Sequence, residues 1–189
     1  MYDLGIRHET REWLAMKTRE FSMEDFAAVS QLWRRSGLEI RPGDGKEMIR
    51  RKLERDSDLF LVAVEDSRIV GSVIGAWDGR RGWVYHLAVD PRFRRRHIAR
   101  KMLLEVERRM REKRVPRVHT MVFLWNAPSL NLFEGLGYEK QSDLVLMGKT
   151  LSADRQISAR TGSRSRKGDL VPNRPKMRRA TWSTKRALP

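Results

Sequence analysis

Three consecutive arginines precede an amphipathic segment in the sequence VDPRFRRRHIAR, residues 89–100. The apolar residues before Asp90 predict a strand, and the apolar residues from Ile98 onward recur at helical spacing. The basic run therefore lies at the start of a helix, where unpaired backbone N–H groups and the helix dipole attract anions. An arginine run without this context is more often a solvated charged surface, but its position here favours a phosphate-binding site.

A second motif follows that helix and a further predicted strand. It consists of Asn126, Ser129, Leu132, Phe133, Gly137 and Tyr138. Neither motif contains cysteine, and the four histidines of the chain show no metal-ligand spacing, so we expect no metal site.

The elements that must position these motifs follow from apolar periodicity and from cap and turn residues. Predicted strands are LAMKTREF, DLFLVAVED, RIVGSVIGAWD, GWVYHLAVD, RVHTMVFLW and SDLVLMGKTL. Predicted helices are SMEDFAAVSQLWRRS, which begins near a Ser22–Asp25 capping box and ends at Gly37, then KEMIRRKLERD, residues 98–112 and APSLNLFEGL. Alternating strands and helices indicate an α/β fold with a mixed sheet.

The two motifs, in this order, resemble the GNAT N-acetyltransferase superfamily. Its cofactor loop has the form V-x-P-x-[YF]-[RQ]-x-x-G-x-[GA], and its second motif has the form N-x-x-[AS]-x-x-L-[YF]-x-x-x-G-[FY]. The stretches LFLVAV, IVGSVIGAWDGRRGWVYHLAVDP and FEGLGYEK resemble the YpeA-like acetyltransferases more narrowly. The resemblance covers residues 15–151 and implies a GNAT domain of about six to seven strands and about four helices.

An acetyl-CoA-dependent N-acetyltransferase is the function that this resemblance implies. The acceptor is a primary amine: a protein N-terminus, a lysine or a small molecule. By match to the family, the pantetheine lies between two splayed parallel strands and the pyrophosphate lies on the arginine loop. The implied acetyl-CoA-binding residues are Leu87, Ala88, Val89, Arg94, Arg95, Arg96, His97, Ile98, Ala99, Asn126 and Ser129.

The sequence departs from the family pattern at three positions. His97 stands where the family has a glycine, and a side chain there obstructs close approach of the backbone to phosphate. Some relatives use a glutamate as general base and a tyrosine as general acid, but the matching residues here are Met121 and Phe133. These departures leave the catalytic groups open.

Three residues near the fourth predicted strand are candidates for catalysis. Tyr85 is a candidate acid, and it also belongs to the YpeA-like segment. His86 is a candidate base because the ordinary pKa of histidine, about 6.5, suits proton acceptance near neutrality. Asp78 is a second candidate base, and its alternative role is that of a turn residue in DGRRG. A water chain is the remaining alternative.

The net charge of +16 suggests nucleic-acid binding, but over half of the excess lies at the end of the chain. Residues 152–189 contain 11 Lys or Arg and two Asp, and lack apolar periodicity, so we predict a disordered basic tail. A contact of this tail with nucleic acid or the ribosome is one expectation. A catalytically silent GNAT-fold module recruited by the tail is the second hypothesis, and a dedicated nucleic-acid-binding domain the third.

Composition also bounds location and assembly. No apolar run long enough to span a membrane occurs, and residues 1–14 form a polar leader with acidic residues rather than a signal peptide. A cytoplasmic protein is therefore expected. A homodimer is compatible with these features.

Overall fold

The computed structural model describes residues 16–149 and 151. The described residues up to Ser142 belong to one compact unit, and a second unit begins at Asp143. The predicted leader, residues 1–14, and the predicted basic tail, residues 152–189, lie outside the described residues. The nucleic-acid or ribosome contact of the tail therefore stays a prediction.

A mixed five-stranded sheet forms the centre of the first unit, in the spatial order β1-β2-β3-β4-β5. The strands are β1 Lys17–Glu20, β2 Phe60–Glu65, β3 Arg68–Trp77, β4 Gly82–Val89 and β5 Val118–Thr120. Neighbouring strands are antiparallel except for β4 and β5, which are parallel. Four helices complete the described fold: α1 Phe26–Ser36, α2 Lys46–Asp56, α3 Ile98–Glu112 and α4 Ala127–Glu134. The predicted α/β class and helix number are confirmed.

Local chemistry explains where several elements begin and end. The Asp25 carboxylate accepts a hydrogen bond of 2.9 Å from the backbone N–H of Ser22, which stabilises the turn that leads into α1. Gly37 ends that helix with a φ of 81°, a left-handed conformation that glycine adopts without strain. Between β2 and β3, Asp66 and Ser67 both have positive φ, as a two-residue hairpin of matching twist requires.

Two strand predictions are corrected by the structure. The described sheet has five strands rather than six to seven, because only three residues of RVHTMVFLW form β5 and residues 144–149 form no strand. In the second unit, the apolar side chains from Leu144 to Met147 are exposed. An apolar run forms a strand only where a neighbouring strand supplies hydrogen bonds. Apolar periodicity does not show whether such a neighbour is present.

One core lies between the sheet and the helices α3 and α4. It contains Met102, Leu103, Val106 and Met110 of α3, all fully buried. Glycines in β3 allow the helix to approach closely: a Cβ at Gly71 would lie 2.9 Å from Sδ of Met102, and one at Gly75 would lie 2.8 Å from Cγ1 of Val106. These two glycines therefore permit close packing of α3 on β3.

A second core lies on the opposite face, under α1 and α2. Trp33 of α1 is its largest fully buried side chain, and its indole N–H donates to Oγ of Ser72 at 2.8 Å. Trp33 also stacks with Phe60 at 6.3 Å and meets the ring of His86 edge-on at 4.7 Å. This core therefore couples α1 to the middle of β3 and β4.

Candidate functional site

The arginine loop between β4 and α3 is anchored by a buried carboxylate. Asp90 accepts hydrogen bonds from the backbone and side chain of Arg92 and from Nε of Arg35, all between 3.1 and 3.2 Å. The hydrogen bonds from Arg92 are the main reason why the pKa of Asp90 falls to about 2, so it is ionised throughout the neutral range. Asp90 thereby joins Arg92 of the loop to Arg35 of α1.

The three consecutive arginines have different surroundings. Both terminal nitrogens of Arg96 donate to the Glu65 carboxylate at 3.0 and 2.6 Å, so this guanidinium ties the loop to the end of β2. Arg94 donates to the backbone oxygens of Ser36 and Val89 at 3.2 and 3.4 Å. Arg95 is exposed, and its side chain has no hydrogen bond or ion pair with any residue that the structure describes. Arg95 is therefore the arginine that is available to an anion.

His97 occupies the position immediately before α3 with a φ of 55°. This left-handed conformation costs a residue with a Cβ roughly 1 to 2 kcal/mol, whereas glycine adopts it freely. The loop therefore keeps the backbone conformation that a glycine favours, although a histidine is present. The family preference for glycine here has a conformational reason in addition to the room that a missing side chain leaves.

We expect His97→Gly to raise the free energy of unfolding by up to about 1 kcal/mol, since relief of the left-handed strain exceeds the entropy that glycine adds to the unfolded chain. Acetyl-CoA affinity should be retained or increased. Thermal denaturation and calorimetric titration measure the two effects. The matched variant His97→Ala keeps the strain and removes the imidazole, so a large loss of affinity in both variants would instead identify the His97 side chain as a ligand.

A cavity of about 330 Å³ opens at the start of α3. It is lined by Val89, Phe93, Arg94, Arg95, His97, Ile98, Ala99, Arg100 and Leu132. Six predicted acetyl-CoA-binding residues are among these. Leu87, Ala88, Arg96, Asn126 and Ser129 are not, and the acetyl-CoA contacts of all eleven residues stay predictions. Backbone N–H groups of the first helical turn, together with Arg95, give this cavity the character of an anion site.

Pairing between β4 and β5 ends well before β4 itself ends. Their last paired residues are Val84 and Thr120, and Oγ1 of Thr120 donates to the Val84 carbonyl at 3.1 Å. Strand β4 continues five residues farther, to Val89, whereas β5 ends. We call the space beside this unpaired part of β4 the wedge, and the resemblance implies that the pantetheine chain lies there.

A β-bulge lies in β4 at the level of this wedge. Ser72 pairs with Ala88 and Ile74 with Tyr85, so His86 and Leu87 together oppose a single residue of β3. The φ of 48° at His86 marks the irregularity. A bulge leaves backbone groups without partners in the ladder and redirects side chains. Here the bulge lies in the part of β4 that β5 no longer pairs with.

The bulge directs His86 toward the helix α1 and the loop before α2. Its Nε2 lies 2.9 Å from Oδ1 of Asp44, a distance of ion-pair contact, although the alignment is not that of a hydrogen bond. Burial raises the pKa of Asp44, but the contact with His86 and the backbone N–H of Arg41 outweigh it and lower the pKa overall. His86 therefore connects the sheet to the loop between α1 and α2.

Asp78 is a turn residue, which is the alternative role that the sequence offered for it. It is exposed, and its Oδ1 accepts hydrogen bonds from the backbone N–H groups of Arg80 and Arg81 at 2.8 and 2.6 Å. These bonds lower the pKa of Asp78, which makes its carboxylate a weaker base. The turn between β3 and β4 accounts for this residue.

Tyr85 is half-buried on the face of the sheet that carries α1 and α2. Its ring stacks with Trp83 at 6.1 Å. Burial, followed by the negative charge of Asp78, raises the pKa of the Tyr85 hydroxyl. Tyr85 therefore stays protonated at neutral pH and can donate a proton or a hydrogen bond near the wedge.

Residues of the second motif cap α4 and pack it against its neighbours. Oδ1 of Asn126 accepts from the backbone N–H of Ser129 at 3.3 Å and caps the helix. Phe133 is buried and meets Tyr138 edge-on at 5.0 Å, while the Tyr138 hydroxyl donates to Glu107 of α3 at 3.0 Å. The motif thus holds α4 against α3, beside the cavity.

Several residues of this region were not among the predicted site residues. Phe93, Arg100 and Leu132 line the cavity, and Asp44 contacts His86. His119 of β5 lies opposite Trp83, with the two rings 5.2 Å apart. His119 lies two positions before Met121, and within the predicted strand RVHTMVFLW that spacing put both on one side, which was a signal available in the sequence.

Within residues 16–149 and 151, no cluster of three or more metal-ligating side chains occurs. In the same residues no helix is long and apolar enough to cross a membrane.

Comparisons with known proteins agree with this geometry. A family model described as acetyltransferase (GNAT) family matches residues 22–138. An acetyltransferase of Pectobacterium atrosepticum is 43% identical over 142 residues, which cover 75% of this chain and 99% of the relative. An acetyltransferase of Sodalis glossinidius is 39% identical over 142 residues, with coverage of 75% and 99%. The crystal structure of PaiA N-acetyltransferase from Thermoplasma acidophilum in complex with coenzyme A has a TM-score of 0.61 at 21% identity, and the match covers 67% of this chain and 91% of that one.

Proposed function

Because the chain belongs to the GNAT acetyltransferase family, we propose that it transfers the acetyl group of acetyl-CoA to a primary amine, and that it is closest to the YpeA-like members. The chain is an acyltransferase with acetyl-CoA as its co-substrate. The amine is a protein N-terminus, a lysine or a small molecule.

The observation that carries this proposal is the position of the cavity. It is lined by the first turn of α3, by Arg95 and by Val89 at the C-terminal end of β4, in the part of that strand that β5 does not pair with. Phosphate oxygens suit the helix N-terminus, and a narrow chain such as pantetheine suits the space between two diverging strands. The thioester then lies beside the bulge in β4.

The residues of β4 have distinct parts in the proposed reaction. Backbone N–H groups at the bulge donate to the thioester oxygen as it acquires charge. The Tyr85 hydroxyl donates a proton to the departing thiolate. A thiol has an ordinary pKa of about 8.5, so this leaving group needs only modest help.

The acceptor amine approaches from the face of the sheet that carries α1 and α2, opposite the cavity. On this face the Asp44–His86 contact holds the loop between α1 and α2 against β4. We assign His86 a positioning role for this loop. The Asp44 carboxylate and the Trp33 ring both lie against His86.

Acetyl-CoA titration by calorimetry, followed by a transfer assay on an array of amines, tests the proposal. The array contains peptides with free N-termini, blocked peptides with one lysine, and small amines. Because the chain has no cysteine, a thiol reagent detects only the coenzyme A that is released. Binding without transfer to any amine would contradict acetyl transfer and support the silent binding module.

We expect Tyr85→Phe to lower kcat roughly tenfold, less than the 100-fold or more typical of a lost general acid or base, because the thiolate leaves readily. Acetyl-CoA affinity should not change, since the cavity does not include this residue. Turnover at saturating substrate and calorimetric titration measure the two quantities. A variant that loses affinity but keeps its turnover would contradict the assignment.

A further inference from the structure

His119 differs from His86 and His97 because no contact described above explains its position. It lies in the middle of β5, directly opposite Trp83 of β4. Its Nε2 is buried and has no hydrogen-bond partner among the described residues. The residue as a whole is partly exposed.

A buried nitrogen without a partner is costly. Leaving such a group unsatisfied costs roughly 1 to 3 kcal/mol, and most buried polar atoms in proteins are paired for this reason. A group of this kind at the edge of a reaction site is satisfied when a substrate donor or an ordered water arrives. The position of His119 relative to the wedge therefore decides what it can do.

The rings of Trp83 and Tyr85 lie between His119 and the bulge. The His119 ring lies 5.2 Å from Trp83, which stacks with Tyr85 at 6.1 Å, and Tyr85 immediately precedes His86. The pair Trp83 and His119 is one step before Val84 and Thr120, where the strands separate. His119 thus lies at the closed end of the wedge, on the face proposed for the acceptor amine.

We propose that His119 is the general base that removes a proton from the acceptor ammonium group, directly or through one water. This inference rests on the proposed acetyl transfer and completes it, because the family position for a base holds Met121. Among the histidine and carboxylate side chains of this face, Asp78 belongs to a turn and His86 contacts Asp44. His119 lies in a strand rather than a turn, and it forms no ion pair with a described carboxylate.

The charges around His119 keep its imidazole neutral and ready to accept a proton. Burial lowers its pKa below the ordinary 6.5, and the positive charges of Arg117 and Arg81 lower it further, whereas Asp78 acts in the opposite direction. The ring is therefore deprotonated at pH 7. Activity that depends on the neutral ring is lost as the pH falls through this lowered pKa.

The reaction balances with this assignment. Nε2 of His119 takes one proton from the ammonium, and the amine lone pair forms the C–N bond to the thioester carbonyl. The C–S bond then breaks, and the thiolate takes a proton from Tyr85. The second amine proton returns through water to Tyr85, and the imidazolium then loses its proton to solvent. The products are the acetamide, coenzyme A and one proton.

The test compares His119→Gln with His86→Gln, assayed on the amine that the array identifies. His119→Gln should lower kcat by about 100-fold or more, the range of a general base, and remove the acidic limb of the kcat/KM profile. Added imidazole or higher pH should restore part of the rate. His86→Gln should retain the acidic limb, whatever its effect on the rate. Acetyl-CoA affinity should be unchanged in His119→Gln.

A measurement on the wild-type protein avoids dependence on the stability of the variants. The ring of His119 is titrated by NMR, and its pKa is compared with that of the acidic limb for the free enzyme. Agreement supports the proposal. Two different pKa values, or a His119→Gln protein with the wild-type rate and profile, would overturn it while leaving acetyl transfer intact. If the wild-type protein transferred acetyl to no amine, the proposed function itself would fail.

Discussion

Replacing Arg95 with glutamate is expected to weaken acetyl-CoA binding by about 1 to 3 kcal/mol, or roughly 5- to 150-fold in Kd. Arg95 lines the cavity at the start of α3 and is exposed, so its charge faces the proposed phosphate position. Its neighbours Arg94 and Arg96 are engaged by backbone oxygens and by Glu65. Reversal at Arg95 therefore changes the anion site without breaking a described ion pair, and calorimetric titration measures the change.

Arg114→Glu is the matched control for this charge reversal. Arg114 is also an exposed arginine with positive φ, 58° compared with 63° at Arg95, but it follows the C-terminal end of α3. The helix has 15 residues and therefore separates the two positions by roughly 22 Å. An equal loss of affinity in both variants would mean that overall charge, rather than the arginine loop, attracts the co-substrate.

Trp33→Ala is expected to lower the free energy of unfolding by about 3 to 5 kcal/mol, a large part of the roughly 5 to 15 kcal/mol that stabilises a typical domain. Trp33 is 1% exposed and fills the core under α1. Its removal leaves a cavity next to Phe60 and deprives Ser72 of its indole donor. Denaturant unfolding followed by circular dichroism measures the change.

The effect of Trp33 should extend to the bulge in β4, because His86 packs against the same ring. Trp125→Ala is the matched control, since Trp125 is 58% exposed and its loss should cost little stability. Similar destabilisation by the two variants would contradict the assignment of Trp33 as the main link between α1 and the sheet.

Local sequence features were sufficient to predict most of the strands and helices. Gly37 ends α1, as predicted, because caps depend on a few adjacent residues. The arginine loop was also placed correctly between a strand and the start of α3. Apolar spacing reports which face of an element is buried, and that is enough to identify a long amphipathic helix.

Only the tertiary structure decided which of these residues meet one another. Arginines 94 to 96 are equivalent as sequence, but Glu65, which lies 31 positions before Arg96, engages that residue and leaves Arg95 at the cavity. Likewise, the short β5 and the burial of Nε2 of His119 depend on how far β4 and β5 remain paired. Ion pairs and strand register join residues that are distant in the chain, and a local pattern of residue types contains no record of such partners.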